Sequence, residues 1–211
     1  MEGPLLKQPE VSVARDRNEA INSYITDMLS LESHIEKAIK SQLSDLKDYP
    51  DVVTELRQFH RTVEHHISDL KALSDRRDAS GAVESVKRAG SALAGMAAGA
   101  IDMFRSEGLP KNLRDDYTAF NLANISYVML NTTALALGDQ EVADLAQQHL
   151  RDYAAASLRL DRIIPAAVVR YLQQEGLPAQ DVAHQVGRTV EEAWEQSVET
   201  GTTPEPASRR L

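Results

Sequence analysis

Apolar residues recur at alternating steps of three and four through most of the chain, and strand-like alternation is missing. The first such stripe is Ile21, Ile25, Met28, Glu32, Ile35, Ile39, Leu43 and Leu46, which predicts a helix over about residues 17–46. A second, Val52, Leu56, Phe59, Val63, His66, Leu70 and Leu73, predicts a helix over about 51–74. Each stripe is broken by one ionisable residue near its midpoint, Glu32 in the first and His66 in the second. A third helix is expected over about 113–137, with Phe120, Ala123, Tyr127, Leu130, Ala134 and Leu137 on its seam. Gly138 then reads as a stop and Asp139 as a fresh N-cap. The fourth should cover about 140–164, with Val142, Leu145, His149, Tyr153, Ala156, Leu160 and Ile163 inward, before Pro165 kinks or restarts the chain.

These elements divide the chain into a flexible arm (1–16), a four-helix bundle (17–165), C-terminal helices packed on it (166–199) and a disordered tail (200–211). The stretch over about 79–110, rich in alanine and glycine, is expected to be a long crossover holding an extra helix. Within it, the uncharged run 89–101 is about thirteen residues long, where a membrane span needs roughly twenty. No membrane association is expected. Gly95 and Gly99 would instead let one helix approach another closely, or dock a partner protein.

Composition narrows the chemistry. Lysine and arginine number 23 against 32 acidic residues, a net charge of −9 that repels a phosphate backbone, so nucleic acid is not an expected partner. With no cysteine there is no thiolate nucleophile or thiolate metal site, which suits the cytoplasm. No Gly-x-Ser-x-Gly and no phosphate-binding glycine loop is present, so neither hydrolase nor nucleotide chemistry is indicated.

Two long helices, a long crossover and two more helices joined at a Gly-Asp turn resemble the ferritin-like di-metal bundles. The stretch TVEHHISDL, and Tyr127 followed by LNTTALALGDQEVADLAQQHLRDY, are similar to the small bacterial stress-induced, YciF-type ferritin-like family. That resemblance implies a di-iron site built from one Glu on each of two helices and a Glu-x-x-His on each of the other two. It matches Glu32 to the first-helix ligand and His66 to the second-helix histidine. Val63 stands where a bridging carboxylate belongs, Ala123 at the third-helix carboxylate, and Tyr153 and Ala156 at the last pair. Two of six ligands remain, and Glu64 is one step off the seam, about 100° away.

Three functions follow as expectations. The first is a bundle that has lost its di-iron centre and serves a stress-linked structural or binding role, with Glu32 and His66 as a buried polar pair. The second is an oxidase or storage protein holding one iron, manganese or zinc ion on Glu32, His66, His149 and Asp152. The third is a partner-binding module using the small-residue helix. A homodimer is expected, His149 could pair with Tyr127 or Tyr153, and His60 and His65 are expected at the surface.

Overall fold

The computed structural model describes residues 17–46, 49–79 and 108–200, with backbone alone at 45, 78, 79 and 197–200. The expected arm, the crossover helix with Gly95 and Gly99, and the tail beyond residue 200 lie outside the described residues. Those described form five helices and no strand: α1 (Arg17–Asp45), α2 (Pro50–Ala79), α3 (Leu109–Ala136), α4 (Gln140–Gln174) and α5 (Ala183–Thr200). α1 packs beside α2 and α3, and α4 packs beside α3 and α2, closing a four-helix square; α5 lies along α4.

The ends of the helices fix the connectivity. Arg77, late in α2, donates to Asn22 on α1 and to Asp139 at the start of α4. Arg17 reaches the Gly138 carbonyl in the α3–α4 turn. The α1 start, α2 end, α3 end and α4 start therefore share one end of the bundle. At the other end, Arg170 on α4 makes a bidentate pair with Asp51 on α2, and Tyr49 bonds Gln174. Gly108 sits there too, against Tyr171, where an added Cβ would come within 2.8 Å of the ring. Its φ of 95° is likewise one that glycine adopts without penalty. α2 and α3 thus run parallel, with the end of α2 and the start of α3 at opposite ends of the bundle.

Most predicted seams are the buried ones. Every α2 seam residue from Val52 to Leu73 is buried, as are Ile21, Ile25, Met28, Ile35 and Ile39 on α1. On α4, Ala146 takes the inward place expected of Leu145, which is only partly covered. The α3–α4 turn behaves as its sequence suggests, with Gly138 at φ 71° and the Asp139 side chain accepting from the Val142 amide.

Three helix limits differ from expectation. α2 continues to Ala79 because Arg76 and Arg77 are held by Glu141 and Asp139 across the bundle. α3 begins at Leu109, since Pro110 occupies its first turn, where a missing amide proton costs nothing. α4 continues through Pro165 to Gln174. One backbone hydrogen bond is lost there, and the buried Ala167 and Val169, with the Arg170 pair, hold the next turns in place.

Candidate functional site

The two polar interruptions meet at the middle of the bundle. Glu32, His66 and His149, from α1, α2 and α4, are fully buried, and Tyr127 on α3 and Tyr153 on α4 close around them. Glu32 is the acceptor of the group. Its Oε1 takes a 2.6 Å hydrogen bond from the Tyr127 hydroxyl and a 3.2 Å bond from His66 Nδ1, while Oε2 takes 2.6 Å from Tyr153. Burial first, and then the neighbouring Glu32 charge, push both phenols well above their usual pKa, so they remain donors.

The imidazoles of His66 and His149 stack with centroids 3.8 Å apart and planes 20° apart. Two cations at that distance would repel, and the surroundings decide which ring holds a proton. Burial, the largest influence on His66, lowers its pKa, but the hydrogen bond and charge of Glu32, then those of Asp152, more than reverse this, and the net shift is upward. In its charged form His66 donates from Nδ1 to Glu32 and from Nε2 to Asp152 Oδ2, each at 3.2 Å. His149 is pushed down to about 2, by burial first and then by the charges of His66 and His65. Because Tyr127 gives its single proton to Glu32, its oxygen accepts from His149 Nδ1 at 2.9 Å. His149 Nε2 faces Asp69 Oδ2 at 3.4 Å, to which the tautomer protonated at Nε2 donates. His65, mostly exposed, stands 3.4 Å from the same Asp69 oxygen.

The four expected ligands are therefore placed unequally. One donor atom each from Glu32, His66 and His149 lies within 4.8 Å of the other two. Asp152 touches His66 from the rim, and no group of three or more among the described residues includes it. Val63 and Ala156, at positions matched to lost ligands, line a cavity of about 150 Å³ with Phe59, Phe120 and Tyr153. Glu64 reaches away from the centre toward His60. Asn124 and Asn131 cross-link α3 to α4, bonding Ser157 and the Ala143 carbonyl.

A second buried acid escaped the sequence reading. Asp116, 2% exposed, accepts from Gln42 Nε2 at 2.8 Å, while its Oδ2 and Gln42 Oε1 have no partner among the described residues. Burial raises its pKa to about 7; the Gln42 bond opposes the shift and the nearby Asp115 charge adds to it. The signal was present, since Asp116 continues the three-four spacing between Leu113 and Phe120. Asp69 gave no such signal, being off the seam and reaching His149 from the side.

Fold and centre define the class: an all-α four-helix bundle with an ionisable hub where its helices face one another. The chain belongs to the family described as Domain of unknown function (DUF892), whose model matches residues 19–173. A crystal structure of a protein from Xanthomonas campestris pv. campestris is similar, with a TM-score of 0.60 at 18% identity, covering 76% of this chain and 99% of that one. At that identity the likeness extends to the fold. No curated protein matches. Among the described residues no helix is long and apolar enough to cross a membrane.

Proposed function

We propose that this protein is a ferritin-like bundle in which a hydrogen-bonded hub replaces a di-iron centre, and that it serves a structural or binding role, stress-linked as its resemblance suggests. The observation that carries this is the saturation of Glu32, whose two oxygens accept three donors, two of them at 2.6 Å. An entering ion would have to displace those phenol bonds. Two divalent ions also need bridging carboxylates, and Glu32 is the single acid in the group, with Val63, Ala123 and Ala156 offering no donor. The residues present do not fit a di-metal pair.

A second reading, one iron, manganese or zinc ion on Glu32, His66 and His149, is favoured by their clustering within 4.8 Å. Bonds of about 2.0–2.2 Å allow ligand pairs up to about 4.4 Å apart, so small side-chain shifts would close the set. Metal content per chain after separate aerobic loading with each ion, on wild type and His66→Ala, decides between them. No metal dependent on His66 supports the hub; one ion per chain that disappears in His66→Ala establishes the second reading instead.

The binding role has a surface to suit it. Ile125, Val128, Met129 and Leu135 expose 41–54% of their area on the outer face of α3, which supports the homodimer. Sedimentation velocity across a concentration series should show a dimer, and a monomer throughout would sink this part of the proposal.

A further inference from the structure

One turn along α1 from Glu32, Glu36 faces α2 at the surface and not the interior. On α2, His60 and Glu64 are four residues apart and so share a helix face. His60 presents Nε2 to Glu36 Oε1 at 2.9 Å and Nδ1 to Glu64 Oε2 at 3.3 Å. One donor atom from each of the three lies within 4.8 Å of those of the other two. The side chains of His60 and Glu36 are 15% and 17% exposed, so the α1–α2 packing restrains both. Glu64, 55% exposed, reaches in from solvent.

We infer that Glu36, His60 and Glu64 form a surface site for one first-row divalent cation of the zinc class, separate from the Glu32 hub. One imidazole nitrogen with two carboxylate oxygens is a donor set such ions accept, and three protein ligands leave a position for water. Two ligands from one helix and one from its neighbour place the donors without any loop. The chain's net charge of −9 favours cations near its surface. Lys40 Nζ stands 3.6 Å from Glu36 Oε1 and competes with an ion for that oxygen. The same three groups have one other use, an imidazole hydrogen-bonded between two carboxylates to join α1 to α2, and that use binds no metal.

Zinc chloride titrated calorimetrically into the full-length, untagged chain separates the two. One zinc ion per chain is expected in wild type, weakened about tenfold or more in His60→Ala and in Glu64→Gln. His66→Ala should bind as wild type does, and Lys40→Met should bind more tightly; circular dichroism confirms that each variant is folded. A wild type that takes up no zinc, or a His60→Ala that binds as well as wild type, overturns the site. Binding lost in His66→Ala and kept in His60→Ala overturns it too, and assigns the ion to the hub.

Discussion

Glu32 and Asp116 are equally cut off from water, yet they are treated in opposite ways by their surroundings. Glu32 receives three hydrogen bonds, one of them from His66; Asp116 receives one, and its second oxygen has none among the described residues. Depth is the same and donor count differs. The first carboxylate is held as an acceptor on which three helices converge, while the second is driven toward its neutral form, with a pKa near 7. A bundle interior thus tolerates a buried acid either by surrounding it with donors or by letting it take a proton.

The largest test of that contrast is Glu32→Leu, which orphans two phenols and the His66 Nδ1–H at once. A loss of about 3–5 kcal/mol in urea unfolding is expected, and a loss below about 1 kcal/mol would show that the hub does not hold the helices together. Asp116→Asn should act in the other direction. The folded protein binds a proton on Asp116 up to about pH 7, whereas the unfolded chain releases it near 3.8. Wild-type stability is therefore lost as pH rises from about 4 to 7 and is flat above, as far as this group is concerned. The asparagine variant should gain on the order of 2 kcal/mol at pH 8 and match wild type near pH 4. Equal stabilities at both pH values would mean that Asp116 is not neutralised by the fold.

That variant also exposes the opposite titration. His149 stays neutral down to about 2, but the unfolded imidazole takes a proton near 6.5, so its contribution is complete above 6.5 and declines as pH falls below it. Unfolding of Asp116→Asn followed from pH 7 to 4 should show this decline, which Asp116 offsets in wild type. Smaller effects come from trimming the donors: Tyr153→Phe should cost about 1–2 kcal/mol, and Tyr127→Phe somewhat more because His149 Nδ1 also loses its acceptor. Smallest of all is Arg170→Met at the exposed Asp51 pair, expected below about 1 kcal/mol by the same urea measurement.

Polar residues on an apolar seam were the legible part of the site. Glu32, His66 and His149 interrupt stripes whose spacing already places them inward, and Asp116 does the same on α3, so periodicity alone could have found all four. Distances along the helix axes were not legible. That Tyr127 and Tyr153 both reach Glu32 depends on how α3 and α4 slide against α1, which no local spacing encodes. Pro165 does not end the helix for a related reason: its local preference for a helix start is outweighed by burial of Ala167 and Val169 further on. The His60 cluster was hidden because its third member, Glu36, belongs to another helix.

The parallel course of α2 and α3 has a consequence for the order of assembly. α1–α2 and α3–α4 are each helical hairpins closed by a short turn, and their contacts are local and fast to form. The phenol bonds to Glu32 join residues 95 and 121 positions apart and unite the two hairpins. They arise only when the two hairpins dock. The hub therefore acts as a latch set late in folding, and its removal should show up mainly as faster unfolding, with the refolding rate little changed.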